Sequence, residues 1–470
     1  MNSRRQFLQY LGWGSMSLTL PQFFHCTQSK GGERPPNIII IYCDDLGYGD
    51  IGTFGHPTIR TPHVDRMAAE GQKWTSFYTA VSVCTPSRAA LLTGRYPIRS
   101  GLSSSKRDVF FPDSSGGMPP GELTLAEVLK AEGYSTGCVG KWHLGHLSPH
   151  LPTRNGFDSY FGVPYSNDMD RTPSAPRNVF QDPKSEYWNV PLMRDEQIVE
   201  RPAIQETLTR RYTEEAVRFI KSNRDHPFFL YFAHTFPHVP LFASEDFKGK
   251  SPRGLYGDVV EEIDWSTGTI LEALRSTGID QNTLIIFSSD NGPWLTYREQ
   301  GGSAGLLHGG KRSTWEGGMR VPTIFRWPGK IRPGVVSEIG CTMDLFTTAA
   351  LLAGAAVPED RVIDGMDLRP ILFDTGQSPR DVLIYYRENR IYAARKGPFK
   401  IHFVTKDGYG SDIKDEFHDP PLLFNLDSDP SERHNIAGKH PDIIADIIRE
   451  IEEHRAGLEA GPDQLAGRLK

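Results

Sequence analysis

Four apolar runs in this chain are continuous rather than alternating: residues 37–42 (NIIIIY), 134–140 (YSTGCVG), 228–233 (FFLYFA) and 284–289 (LIIFSS). A strand covered on both faces has this pattern, because both sides of the pleat meet core, whereas a half-exposed strand alternates. Between the runs, residues 123–133, 210–223 and 257–278 carry apolar residues at helical spacing, the last closing on Gly278. Strand and helix in alternation predict an α/β fold with a mostly parallel central sheet flanked by helices. The 470 residues suit one large α/β domain with a smaller companion. After a helical segment at 343–358 the pattern changes. From about Leu368 short strand candidates (VLIYYREN, IYAARKGPFKIHFV, PLLFNLDSDP) succeed one another without long helices, and one helix closes the chain at Pro441–Ala456. The expected organisation is a large domain over 34–365 and a C-terminal α+β subdomain over 366–470, with a short antiparallel sheet and a helix.

Each apolar run leads directly into polar residues. The first ends in Cys43-Asp44-Asp45, the second in Lys141-Trp142-His143, the third leads through His234 to His238, and the fourth ends in Asp290-Asn291. Taken singly, each cluster fits a turn, a helix cap or a solvated loop. In a parallel sheet, however, the C-terminal strand ends share one edge, so the four clusters are expected in one crevice. Asp44, Asp45, Asp290 and Asn291 offer oxygen only, which selects calcium or magnesium over zinc. Arg88, Lys141 and Lys311 are cations for an anionic ligand, and His143 and His238 exchange protons near neutral pH. That combination suits transfer of a sulfuryl or phosphoryl group.

Net charge is -6, and lysines and arginines are scattered, so no footprint for nucleic acid is present. Glycine (46) and proline (35) make up about a sixth of the chain, with no period, which indicates many structured loops. Five cysteines, Cys26, Cys43, Cys84, Cys138 and Cys341, form no CxxC pair and no dense disulfide framework. Residues 1–30 carry Arg4-Arg5 ahead of a broken apolar stretch and resemble a twin-arginine export signal. The protein is therefore expected outside the cytoplasm, periplasmic or extracellular, or held as a lipoprotein through Cys26. No later segment is apolar enough to span a membrane.

Cys84 opens the stretch CTPSRAALLTGR. It could serve as nucleophile, metal ligand, disulfide half or small buried residue. Pro86 near a first turn and Gly94 near an end mark a short helix, which puts Cys84 at a helix N-terminus. Backbone N–H groups there favour an anion, so an unmodified thiolate would be activated.

Cys84-Thr85-Pro86-Ser87-Arg88 together with Leu92-Thr93-Gly94-Arg95 resembles the signature of type I sulfatases, in the arylsulfatase A-like branch of the alkaline phosphatase superfamily. Asp44-Asp45, GKWHLG (140–145), PYSND (164–168), HTFPHVP, SSDNGP, GGKRSTWEGGMRVP (309–322) and FNLDSDPSERHNIA (424–437) extend the likeness over nearly the whole chain. The resemblance implies that a formylglycine-generating enzyme transiently binds the Cys84–Arg88 motif and oxidises Cys84 to Cα-formylglycine. It implies one calcium ion, with magnesium the second choice, held by Asp44, Asp45, Asp290, Asn291 and modified Cys84. Arg88 then orients the formylglycine and His143 contacts it. Lys141 and Lys311 bind sulfate oxygens, Ser166 lines the sulfate pocket, and His238 protonates the leaving alcohol. The aldehyde hydrate attacks sulfur with one hydroxyl, activated by Asp290 and the metal, and the other lets the covalent sulfate ester collapse. His234 is expected to be structural or to lie on the substrate side.

The implied activity is hydrolysis of a sulfate monoester, on a sulfated galactose or N-acetylgalactosamine unit. The alternatives are a phosphate- or phosphonate-ester hydrolase and a catalytically dead glycan-binding relative. Loops at 166–178 and around His308, with Asp168, Asp170 and Arg171, are the candidates for sugar recognition.

Overall fold

The computed structural model describes residues 34–408 and 413–469. The export-signal reading of residues 1–30 and the lipidation reading of Cys26 lie outside them. Residues 35–470 form one compact unit.

Its centre is a ten-stranded sheet. The strands run Gly334–Val336, Gln72–Trp74, Thr323–Arg326, Thr283–Ser289, Asn37–Cys43, Phe228–Ala233, Ser135–Gly140, Ser159–Gly162, Leu192–Arg194, Gln197–Glu200 from edge to edge. The five strands from Thr283–Ser289 to Ser159–Gly162 are mutually parallel. All four apolar runs are among them. In Asn37–Cys43, Ile38 and Ile40 enter one core and Ile39 and Ile41 the other, every one fully buried. The first core is closed by helices Cys84–Thr93, Leu125–Ala131 and Asp344–Ala353, the second by Pro62–Ala69, Leu208–Ser222 and Leu255–Ser276. Burying one such side chain is worth about 1.5–3 kcal/mol, so residues with no exposed face dominate here.

The antiparallel flanks, Thr323–Arg326 on one side and Leu192–Arg194 with Gln197–Glu200 on the other, have no counterpart in the sequence pattern. They are three or four residues long, too short to express a period.

Beyond the large sheet, Val382–Arg387, Arg390–Lys396, Phe399–Thr405 and Glu416–Asn425 form an antiparallel sheet in that order. Helix Pro441–Ala456 packs Ile444, Ile447 and Ile451 against it. Tyr78, Ala90 and Met319 of the large domain share that same core. The chain end then returns to the large domain, where Gly461 N–H donates to Ile98 O (2.9 Å) and Leu469 N–H to Asp113 O (2.8 Å). Among the described residues no helix is long and apolar enough to cross a membrane.

Register positions the site. Cys43 lies opposite Ser289, Tyr42 opposite Ala233, and Gly140 opposite Ala233. The strands therefore finish level, and Asp44, Asp290, His234 and Lys141 leave the sheet at one edge.

Candidate active site

Helix Cys84–Thr93 is buried over its whole length. Gly94 ends it in the left-handed region (φ 67°), its N–H on Ala90 O, where a Cβ would meet the Phe346 ring at 2.8 Å. Its first turn is tied to several strand ends. Thr85 Oγ1 donates to His143 O (2.8 Å), and Ser87 Oγ meets Tyr42 OH (3.0 Å) and Thr79 Oγ1 (2.5 Å). Arg88, with no exposed surface, donates from Nε and Nη2 to Asp290 Oδ2 (3.0 and 2.8 Å) and from Nη1 to Lys141 O (3.0 Å). Its Nη2 is also 3.6 Å from Asp44 Oδ1. This three-directional fork is a task for guanidinium and not for ammonium. Cys84 Sγ comes within 3.5 Å of Asp44 Oδ1.

The carboxylates converge beside the cysteine. Lys141 Nζ bonds Asp44 Oδ2 and Ser166 Oγ (3.1 Å). Lys311 Nζ bonds Asp45 Oδ1 (2.7 Å), Asn291 Nδ2 donates to the same oxygen (2.7 Å), and Asp45 N–H donates to Asp290 Oδ1 (3.1 Å). Two backbone devices aim these groups. Asp45 itself adopts φ 66° immediately after its strand. Gly140, at φ 109°, brings its backbone so close to Ala233 O that a Cβ would stand 1.7 Å from that oxygen, which also accepts Lys141 N–H (2.8 Å).

Three carboxylates this close cannot all ionise comfortably. Burial raises Asp44, but Lys141, His238 and Arg88 outweigh it and hold this carboxyl well below the ordinary range. Burial pushes Asp45 up against Lys311, with Asp44 adding to the rise. At Asp290, burial and then Asp44 push the carboxyl up to about 7 against the pull of Arg88. A divalent cation would relieve this repulsion. Ligand atoms of Asp44, Asp45, Cys84 and His238 all lie within 4.8 Å of one another, and the buried Asn291 Oδ1 has no hydrogen-bond partner. The donor set, three carboxylates and a vacant amide oxygen, fits a hard cation such as calcium.

The expected activation of a Cys84 thiolate is overturned. Burial pushes this thiol far up, and although Lys141 and Lys311 oppose it, Asp44 and Asp290 add to the rise. Loss of water and two neighbouring carboxylates outweigh the helix N-terminus. Burial and the two carboxylates thus favour the protonated form of an unmodified Cys84 where no cation lies beside it.

His238 Nδ1 is on Val239 O (2.5 Å), which assigns that nitrogen the proton and turns Nε2 toward Ser166 Oγ (3.5 Å) and Asp45 Oδ2 (3.6 Å). Burial and then Lys311 hold its pKa well below the usual value, so the ring rests neutral. The expectation that His143 titrates near neutrality is overturned for the same reason: burial and then Lys141 depress it, with its Nε2 on Phe110 O (2.9 Å). His234 stands apart, packed on Phe232 at 4.4 Å between ring centroids, with burial lowering it to about 3.

Two features were not legible in the sequence. Trp294 carries the Lys311 ammonium 4.4 Å over its ring and packs on His238 at 5.2 Å. It sits three residues after Asn291, and an aromatic in a glycine- and proline-bearing loop was the available signal. The second feature anchors the Lys311 loop to the C-terminal sheet. Glu316, fully buried, accepts from Lys400 Nζ (2.8 Å), Arg320 Nε (2.6 Å) and Tyr78 OH (2.7 Å). Its N–H donates to Glu432 Oε2 (2.7 Å), whose other oxygen takes Lys400 (2.9 Å) and His402 Nε2 (2.7 Å). Trp315 is sandwiched between His308 and His402, each at 4.3 Å.

A cysteine at the start of a buried helix, an oxygen-rich cation site and two lysines at the carboxyl edge of this sheet define an enzyme acting on an oxyanion ester, on an alkaline phosphatase-like fold. The sulfatase family profile matches residues 36–355, and that for the C-terminal region of aryl-sulfatase matches 378–469; the chain belongs to the sulfatase family and is a sulfuric ester hydrolase. It is 40% identical to arylsulfatase A of Homo sapiens over 468 residues, covering 92% of this chain and 91% of the relative. It is 41% identical to N-acetylgalactosamine-6-sulfatase of Mus musculus over 472 residues, covering 93% and 89%. The crystal structure of the PsFucS1 sulfatase from Pseudoalteromonas sp. superposes with a TM-score of 0.80 at 29% identity, over 91% of this chain and 92% of that one.

Proposed function

We propose that the protein is an exported, formylglycine-dependent sulfatase that removes sulfate from a sulfated carbohydrate. The observation that carries this reading is the placement of Cys84 against Asp44 with Lys141, Lys311 and His238 around it. Asp44, Asp45, Asp290 and Asn291 would hold calcium and, with formylglycine at position 84, supply charge at the sulfate oxygens and paired hydroxyls for attack and release.

The remaining work falls to the chain's own side chains. Lys141 and Lys311, bonded to Asp44 and Asp45 beside Cys84, would offer their ammonium groups to the sulfate oxygens. Ser166, bonded to Lys141, fixes one wall of the pocket. Arg88 holds Asp290 in place to accept a proton from the attacking hydroxyl. The charge of a bound sulfate ester offsets the lysine that holds His238 neutral, so Nε2 takes up a proton from solvent and passes it to the departing alcohol oxygen, while the Nδ1–H bond to Val239 O keeps the ring aimed. A neutral thiol in this position would be a poor nucleophile, which supports the need for modification.

Cys84 through Arg88 are all buried in the folded protein, Cys84 at 2% and Thr85, Ser87 and Arg88 at 0%. A formylglycine-generating enzyme would therefore act on the chain before it folds. That order agrees with modification ahead of twin-arginine-like export. The carbohydrate reading is supported by the relation to N-acetylgalactosamine-6-sulfatase.

The test is release of sulfate from 4-nitrophenyl sulfate and from monosulfated galactose and N-acetylgalactosamine, beside phosphate release from 4-nitrophenyl phosphate. Sulfate esters should turn over far faster. A preference for the phosphate ester would replace this reading with that of a phosphate-ester hydrolase, and no turnover of any ester would leave a glycan-binding relative.

A further inference from the structure

We propose that Trp294 selects the alcohol half of the substrate, its indole seating the ring of a sulfated pyranose beside His238. The inference rests on the sulfatase reading above and goes beyond it in naming a specificity residue and the shape of leaving group it suits.

The place of the indole is fixed by contacts with two groups of the reaction. Its ring packs on His238 at 5.2 Å between centroids and carries the Lys311 ammonium at 4.4 Å. His238 serves the departing alcohol and Lys311 the sulfate, so an ester that spans the two lies against the indole. The backbone holds it there. Lys311 N–H donates to Pro293 O (2.9 Å), and Gly310 has no Cβ where one would stand 2.9 Å from Leu295 Cγ, so the segments on either side of Trp294 and Lys311 close on each other. Tyr297 meets the indole edge to face at 4.7 Å, and Phe180 meets Tyr297 in the same way at 5.0 Å. The three rings form a row that starts at His238.

Exposure gives a substrate its approach. His238 and Lys311 are each only 3% exposed, whereas Trp294 and Tyr297 are half-buried and Leu295 is 45% exposed. On the His238 side an incoming ester therefore meets aromatic and aliphatic surface before it meets the reacting groups. The face of an aromatic ring carries partial negative charge, which Lys311 already exploits. A pyranose presents C–H groups on its faces and hydroxyls at its rim, so it can lie on such a surface without burying a hydroxyl. An acyclic alcohol has no comparable face.

The charged residues of the 166–178 loop are placed differently. Asp168 Oδ1 is closed off from solvent. Asp170 pairs with Arg201 (2.7 Å) and accepts from Tyr165 OH (3.4 Å). Arg171 is folded onto the carbonyls of Ala175 and Pro176.

The experiment measures kcat/KM of the holoenzyme and its Trp294→Ala, Trp294→Leu and Trp294→Phe variants on galactose 6-sulfate and N-acetylgalactosamine 6-sulfate, beside the inhibition constant of inorganic sulfate. Sulfate has no alcohol half, so it reports the Lys311 contact alone, and its inhibition should weaken about 2- to 5-fold in the alanine variant, the value of an exposed cation–π contact. The better sugar ester should lose about 10-fold more than that, the value of an aromatic stacking contact. Trp294→Phe keeps an aromatic face and should lose less than Trp294→Leu, which keeps bulk without a ring and carries the test if the alanine variant misfolds. Equal losses for sugar ester and inorganic sulfate, no change in either, or a leucine variant as active on the sugar as the phenylalanine one overturns the assignment. A wild-type enzyme that cleaves 4-nitrophenyl sulfate but neither sugar also overturns it while leaving the sulfatase reading standing; one that cleaves no sulfate ester removes both.

Discussion

Replacing Lys400 by methionine should unlock the loop that carries Lys311. Lys400 Nζ is fully buried between Glu316 Oε1 (2.8 Å) and Glu432 Oε1 (2.9 Å), and 4.4 Å over the Tyr385 ring. Glu316 retains Arg320 after the change, whereas among the described residues Glu432 is left with His402 and the Glu316 N–H. Removing one partner of a buried ion pair costs about 3–5 kcal/mol, because the other charge stays desolvated. For a chain of 470 residues that is a fall in Tm of roughly 3–5 °C. Glu432→Gln removes the stranded charge, so the double variant should recover about 1 kcal/mol or more of the loss. Thermal melts of the four proteins of the cycle give the coupling, and aryl sulfate kinetics give the consequence. KM should rise in Lys400→Met, since Lys311 lies five residues before Glu316. A melt within about 1 °C of wild type, or strictly additive single variants, would refute the argument that this pair clamps the loop.

Gly140→Ala should lose about 2–4 kcal/mol by thermal melt, because its Cβ would stand 1.7 Å from Ala233 O in a left-handed backbone conformation. Removal of divalent cations by a chelator should lower Tm as well as activity, and calcium at about 100 times its Kd should restore about 2.7 kcal/mol; a melt indifferent to calcium contradicts the assignment of Asp44, Asp45, Asp290 and Asn291. Glu316 gives a pH signature: burial raises its pKa, but Arg320, Lys400 and Arg395 prevail and hold it well below the ordinary value. Its folded pKa being depressed, its contribution is complete above about pH 4.3 and fades as pH falls toward the folded value. The stability gap between wild type and Glu316→Gln should therefore narrow on acidification in that range, and a constant gap would contradict it.

Much of this architecture was legible because burial on both faces leaves a mark in sequence. NIIIIY and FFLYFA have almost no polar position, and that alone places them inside a parallel sheet and their succeeding residues at one edge. The crevice was legible for the same reason: Asp44, Lys141, His238 and Asp290 come after runs that can only be central strands. The hidden part depends on contacts distant in sequence. Nothing local to Glu316 announces Lys400, 84 residues away, or Glu432, 116 away. The three-residue strands at Gln72–Trp74 and Gly334–Val336 are held by pairing rather than by pattern. The thiol of Cys84 misled most clearly. A helix N-terminus suggested an activated thiolate, but its burial and the approach of Asp44 and Asp290 were not readable from CTPSR.

The central claim is that Cys84 is a precursor rather than the working nucleophile. Mass spectrometry of the peptide containing residue 84, taken from a preparation of measured sulfatase activity, tests it most directly. The account predicts the mass of an aldehyde in place of the thiol, at a fraction that tracks specific activity across preparations. Full activity in protein whose residue 84 is an intact, alkylatable cysteine would contradict it.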